Sequence, residues 1–402
     1  MIGCTKLLCG TATVSEAIKM HNAGNKVPAN MLQFSGTNRP LVVWNMTNRC
    51  NLRCKHCYIS AEDRKYQDEL TTQEAEEFIT DLAEMQSPVL LFSGGEPLIR
   101  EDIFYLSRFA TDRGLRVVLS TNGTLITPEI AKSIKDSGMQ YVGISLDGLH
   151  DIHDEFRCMP GAMDRSMEGI KNCMELGINS GVRFTVNKFN KQDLPGIIDL
   201  LVEKGIPRFC MYHLVYSGRG KKIVDMDTTH QEKIETMEFL VDKTIELYDK
   251  GIKAELMTVD NHADGIYIYN YLMKKNPERA DEVMQLLKMH GGCSAGTKFS
   301  NVDPQGNVHP CQFWQHVSLG NVKERNFSEI WNDKDNEFLE MLRHKEDFLK
   351  GRCGQCTHKT VCGGCRIRAE VVHGDVWAED PACYLTDSEI GIQDAECAEV
   401  PA

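Results

Sequence analysis

The sequence predicts an α/β fold: a partial (β/α)6 barrel with a parallel sheet, followed by a smaller cysteine-rich domain. Three observations carry this. Between residues 40 and 216, apolar strand-like runs alternate with amphipathic helix-like runs six times. Strands separated by helices pair in parallel through right-handed crossovers, and six units fall short of a closed eight-stranded barrel. The 16 cysteines gather mainly in two groups. From residue 293 the chain becomes rich in cysteine and glycine and loses its long periodic runs.

Residues 1–39 show little periodicity, apart from "SEAIKMHNAG", a short helix capped at Ser15. Strands are predicted over 41–47, 88–93, 116–121, 141–147, 180–187 and 208–216, each an apolar run. The helices between them span 71–85, 102–114, 127–138, 162–177 and 191–205, with threonine, proline and glycine as boundary signals. Two further helices are predicted over 229–251 and 278–290. The resulting division is an N-terminal extension (1–39), a barrel core (40–228), a helical bridge (229–292), the cysteine-rich domain (293–385) and an acidic, flexible tail (386–402).

A net charge of −13 argues against general nucleic-acid binding, which needs a basic footprint. No apolar run reaches the ~18 residues that span a bilayer. The first residues lack the basic start and apolar core of a signal peptide, so a cytoplasmic location is expected. Disulfides are disfavoured there, and clustered cysteines then point to metal. Cys158, Cys173 and Cys210 stand alone among apolar neighbours and are expected in the core. Cys4, Cys9 and Cys397 receive no role.

The stretch "NRCNLRCKHCYIS" places Cys50, Cys54 and Cys57 at C-x3-C-x2-C spacing just after the first strand. Ligands in parallel α/β folds sit at the C-terminal ends of strands. The same rim receives "GGEP" after strand two, "NGT" after strand three and "DG" after strand four. Three thiolates on a four-iron cube leave one iron open to a small ligand. A structural zinc site wants four protein ligands, and His56, adjacent to Cys57, is badly placed to complete one.

"CNLRCKHCY" resembles the signature of the radical S-adenosylmethionine (SAM) superfamily. The resemblance covers about residues 40–216. It implies a [4Fe–4S] cluster on Cys50, Cys54 and Cys57, whose open iron chelates SAM and whose electron releases a 5′-deoxyadenosyl radical. It also implies that Tyr58 and the "SGGEPL" residues Gly94, Gly95, Glu96 and Pro97 face SAM. Glu96 would lie near the ammonium, and Asn122, Ser145 and Asp147 near the ribose and methionine parts. Arg183 on strand five is expected to pair with the SAM carboxylate, against the plainer reading of a surface ion pair.

The second group comprises Cys293, Cys311, Cys353, Cys356, Cys362, Cys365 and Cys383. Paired C-x2-C steps also suit zinc ribbons. Their order resembles the SPASM extension of radical SAM maturases, which carries auxiliary iron–sulfur clusters. The resemblance implies one four-cysteine cluster on Cys353, Cys356, Cys362 and Cys383, leaving Cys293, Cys311 and Cys365 for another. The late spacing ends x2 where x3 is usual, and this second set has three members. Either its iron is open, or His309 joins it, or it is absent. One or two auxiliary [4Fe–4S] clusters are therefore expected.

The start "MIGCTKLLCG", the strand "VVWNMTNRCNLRCKHCY" and "YHLVYSGRG" resemble the tetrapyrrole-modifying branch of the superfamily, nearest its deacetylases of the alternative haem pathway. That implies removal of acetate side chains from 12,18-didecarboxysirohaem to give iron-coproporphyrin III, with an electron donor of ferredoxin or flavodoxin type. Such a substrate carries many carboxylates, which guanidinium and ammonium groups bind. Arg219, Lys221 and Lys222 after the last strand are candidates, and His213 a candidate for the tetrapyrrole iron. A peptide or sulfatase maturase is the competing enzyme reading, disfavoured because residues 1–39 are short for a peptide-recognition domain. An iron–sulfur electron carrier or zinc scaffold is the non-enzyme alternative.

Overall fold

A computed structural model describes residues 1–22, 28, 31–32 and 39–392. The six predicted strands form as β1 (Leu41–Asn45), β2 (Leu90–Ser93), β3 (Val117–Thr121), β4 (Val142–Ser145), β5 (Ser180–Val186) and β6 (Arg208–His213). Each pairs with the next in parallel. Helices cover the outer face and begin where hydroxyl side chains can serve their free N–H groups. Thr71 and Thr229 each form a capping box with the glutamate three residues on. Thr127 caps the helix that Pro128 opens.

The structure corrects the bridge. Residues 229–292 contain a strand that the sequence reading assigned no role, β7 (Glu255–Val259), parallel to β6. Its apolar centre is short, and Lys253 and Glu255 disguise its start. The charge of Glu255 is satisfied by Lys6 at 2.8 Å and Arg208 at 2.7 Å. Ile2 covers the edge of β7 through an antiparallel bridge to Thr258. The N-terminal extension is thus partly built into the fold, and its helix (Val14–Asn22) starts earlier than expected. Thr13, rather than Ser15, exchanges hydrogen bonds with Glu16.

The cysteine-rich region shares the same sheet. Strand β8 (Phe299–Val302) pairs in parallel with β1, and β9 (Asn307–His309) and β10 (Gly320–Asn321) follow antiparallel. The order is β10-β9-β8-β1-β2-β3-β4-β5-β6-β7. Packing crosses the expected boundary as well. Phe78 meets Trp44 edge-on at 5.8 Å and Phe327 at 6.0 Å, and Phe327 stacks on Trp331.

Two other expectations change. Cys173 and Cys210 are buried as predicted, but Cys158 is exposed. It ends the unpredicted helix His150–Arg157 in a left-handed conformation, φ 56°. The start of the acidic tail is structured: Ile390 is buried, and its carbonyl accepts from the Thr357 N–H. Residues 393–402, including Cys397, lie outside the described residues.

Phe78 joins the barrel to the cysteine-rich region, so Phe78→Ala is expected to cost about 3–5 kcal/mol. Denaturant unfolding of the anaerobic protein should still show one transition, because both halves share this core.

Candidate active site

The ends of β1 to β6 open on a cleft of ≈1010 Å³. Of the residues named from sequence, Cys50, Cys54, Cys57, Tyr58, Gly94, Gly95, Asn122, Ser145, Arg183, His213 and Arg219 line it. Glu96, Pro97, Asp147, Lys221 and Lys222 do not.

The cysteine loop is held from beneath by the turn after β2. The Gly95 N–H donates to Thr47 O at 2.8 Å and the Glu96 N–H to Arg49 O at 2.9 Å. A Cβ on Gly95 would lie 2.1 Å from the Arg49 carbonyl oxygen, so only glycine permits this approach. Gly94 adopts φ +121° in the same turn.

Glu96 departs from its expected role near a ligand ammonium. Its carboxylate is fully buried and accepts from Leu98 N–H, Thr121 Oγ1 and Asn122 N–H at 2.8–3.1 Å. Burial outweighs these bonds and pushes its pKa up to about 6. It ties the turn after β2 to the turn after β3, and so fixes Asn122. Asn122 in turn donates to Asn51 of the cysteine loop at 2.9 Å. Pro97 is buried and opens a 3₁₀ turn behind the cleft.

Asp147 is also behind the wall. It is fully buried, accepts from the Thr185 N–H at 2.7 Å and pairs with Arg157. Burial opposes its charge, but Arg157 and His56 together hold its pKa below the usual value. Arg157, which the sequence reading missed, reaches the Cys54 sulfur at 3.5 Å. The carboxylate therefore aims a guanidinium at a candidate iron ligand. His56 stacks on Phe156 at 4.5 Å and does not join the cysteines. The unpredicted helix His150–Arg157 supplies both Phe156 and Arg157, and no motif in it announces this.

The Tyr58 hydroxyl donates to Asn45 Oδ1 at 2.7 Å, leaving its ring to face the cleft against Phe313. Arg183 is no surface ion pair. It sits in the cleft wall, bonds Ser120 Oγ, and has no carboxylate partner among the described residues. Gly143 on β4 makes room for it, since a Cβ there would stand 2.3 Å from Arg183 Nε.

The basic loop is corrected in part. Lys221 and Lys222 are exposed and outside the cleft. Arg219 reaches inward, but it donates to Cys54 O at 2.7 Å and Ala61 O at 2.9 Å. It staples the cysteine loop and retains one unpartnered nitrogen, Nη2. His213 is buried, with Nε2 2.9 Å from Asp264 Oδ2.

Cys50 and Cys54 are buried and Cys57 is half-buried, and the Arg157 guanidinium stands beside one of them; three such thiols suit a soft, multi-iron group. Burial pushes the Cys50 and Cys54 thiols up, so only a bound metal makes their thiolates favourable there.

A separate cavity of ≈510 Å³ is lined by Cys353, Cys356, Cys362 and Cys383, the expected four-cysteine set. Arg366 approaches the Cys353 sulfur at 3.6 Å. Cys293, Cys311 and Cys365 lie near one another: Cys293 helps raise the thiol pKa of both Cys311 and Cys365, and Cys365 that of Cys311. His309 does not join them: Nδ1 lies 2.6 Å from Val317 O and Nε2 3.3 Å from Asp303.

Gly95→Ala should force the cysteine loop apart, at about 1–3 kcal/mol, and lower bound iron measured on the anaerobic protein. Arg183→Met should weaken SAM binding at least ~10-fold in equilibrium titration, the scale of a lost charge-assisted hydrogen bond. Gly143→Ala should reproduce much of that loss by displacing the guanidinium.

Comparison with known proteins agrees with this geometry. The radical SAM superfamily model matches residues 44–201, and the SPASM iron–sulfur cluster-binding domain matches residues 293–357. The Fe-coproporphyrin III synthase of Methanosarcina barkeri is 50% identical over 98% of this chain and 100% of its own length. The pre-heme d1 synthase of Dinoroseobacter shibae is 41% identical over 89% of each chain. SuiB of Streptococcus suis, solved with S-adenosylmethionine, shares the fold at TM-score 0.68 and 19% identity, over 87% of this chain and 78% of its own. The chain belongs to the radical SAM superfamily, an enzyme with a SPASM iron–sulfur extension and with [4Fe–4S] clusters and SAM as its cofactors.

Proposed function

We propose that this enzyme removes the two acetate side chains of 12,18-didecarboxysirohaem to give iron-coproporphyrin III. The observation that carries the substrate is the end-to-end similarity, at 50% identity, to a protein named Fe-coproporphyrin III synthase. The chemistry rests on the cleft where three cysteines, a glycine pair and an unpaired guanidinium converge.

In this reading Cys50, Cys54 and Cys57 would hold the N-terminal cluster, which would supply the electron for reductive cleavage of SAM. The chain's own part is placement and exclusion of water. Gly94 and Gly95 present backbone to the SAM amino group. Arg183 takes the SAM carboxylate, and Asn122 and Ser145 its ribose. Arg157 and Arg219 order the cysteine loop. The unpartnered Nη2 of Arg219, in the cleft wall, is a cationic donor left for a substrate carboxylate, which makes Lys221 and Lys222, outside the cleft, the weaker candidates. Cys353, Cys356, Cys362 and Cys383 hold an auxiliary cluster, and Cys293, Cys311 and Cys365 a second.

No helix among the described residues is long and apolar enough to cross a membrane. We place the enzyme in the cytoplasm, with a ferredoxin- or flavodoxin-type electron donor.

Anaerobic incubation with SAM, dithionite and didecarboxysirohaem, read by mass spectrometry, should show loss of both acetate groups and formation of 5′-deoxyadenosine. An unchanged tetrapyrrole mass would remove the substrate assignment. Cys50→Ala should abolish deoxyadenosine formation; retained formation under reducing conditions would remove the cluster assignment.

A further inference from the structure

We propose that Asp260 supplies the fourth, non-cysteine ligand of the iron–sulfur centre held by Cys293, Cys311 and Cys365. The inference rests on the reading of those three cysteines as a centre.

Asp260 follows directly on β7, at the C-terminal end of the strand. It adopts φ 70°, a left-handed conformation that costs a non-glycine residue energy and persists where surroundings impose it. Its Oδ2 is buried without a hydrogen-bond partner. An unpartnered buried carboxylate oxygen is costly and calls for a ligand.

Its position brackets the three-cysteine set. Asp260 lines the cleft together with Gln312 and Phe313, the two residues after Cys311. Its carbonyl accepts from Arg368 Nη2 at 2.8 Å, and Arg368 lies one helical turn beyond Cys365. The Arg368 guanidinium gives its carboxylate hydrogen bonds to Asp380 at 2.8–2.9 Å and reaches Asp260 only at its carbonyl, while its charge and that of the Met1 ammonium favour the ionised Asp260 carboxylate.

Among the histidines, His309 bonds Val317 O through Nδ1 and contacts Asp303 through Nε2, and His213 is held to Asp264 through Nε2 while its Nδ1 has no partner. His262 has an unpartnered Nε2 and packs against His290 at 5.5 Å, which makes it the rival to test. A carboxylate in the fourth position completes an anionic donor set with a harder, more exchangeable ligand than thiolate. It also closes this centre to direct ligation by substrate unless the carboxylate is displaced.

The test uses the full-length chain, reconstituted anaerobically with iron and sulfide, in a Cys50→Ala/Cys54→Ala/Cys57→Ala background. Only the C-terminal centres then contribute to electron paramagnetic resonance and redox titration. Asp260→Asn should shift the g-values and raise the midpoint potential of one centre, because a neutral side chain replaces an anion. Asp260→Cys should retain the iron and give a four-thiolate signature. Spectra and potentials unchanged in Asp260→Asn would overturn the proposal, as would a change seen with His262→Ala and not with Asp260→Asn. The underlying reading fails by a different result. If Cys293→Ala/Cys311→Ala/Cys365→Ala leaves the iron content at its parent value, there is no such centre.

Discussion

The site depends on two stretches of backbone lying closer than any side chain permits. The turn after β2 packs against the cysteine loop after β1 with no space for a Cβ at Gly95. This contact delivers two backbone hydrogen bonds into the loop and sets the floor on which Cys50, Cys54 and Cys57 are arranged. The buried carboxylate of Glu96 extends the clamp to the third strand, and the Asn122–Asn51 bond returns it to the cysteine loop. Three turns from three parallel strands therefore brace one another. The ligand-facing groups are preorganised without being consumed by the bracing.

Electrostatics follows from this packing. Asp147 and Arg157 are buried behind the cysteine loop, so their charges need partners built from the protein. Asp147 and Arg157 form such a pair, and Arg157 continues to the Cys54 sulfur. Arg219 satisfies two loop carbonyls from the opposite side. Arg183 stands apart as a guanidinium given room by Gly143 and left without a carboxylate among the described residues. That makes it a natural anion site in a cleft where Arg157 is tied to Asp147 and Arg219 keeps only Nη2 free.

Much of this was legible in the sequence because periodicity and spacing are local signals. The first six strands, the helices between them and the two cysteine groups are set by short runs of residues. What was hidden depends on long-range packing. Strand β7 looks too polar at its start because its glutamate is neutralised by Lys6 and Arg208, far away in sequence. Arg157 carries no motif, and its role appears only when the helix after β4 packs over the cysteine loop. Glu96 was read as facing the ligand because the motif does not reveal which way a side chain turns. Lys221 and Lys222 looked like a binding loop because charge is visible in sequence and direction is not.

The shared sheet has a consequence for how the chain reaches this state. Strand β1 takes one neighbour from β2 and the other from β8, where Asn301 bonds Val43 across 258 residues of chain. During synthesis, β1 to β7 can assemble while the far side of β1 still exposes unpaired backbone, a template for association with other chains. The last quarter of the protein supplies the seal for this edge, and it arrives late. A chain interrupted before residue 299 would keep the signature cysteines yet leave one edge of β1 unpaired.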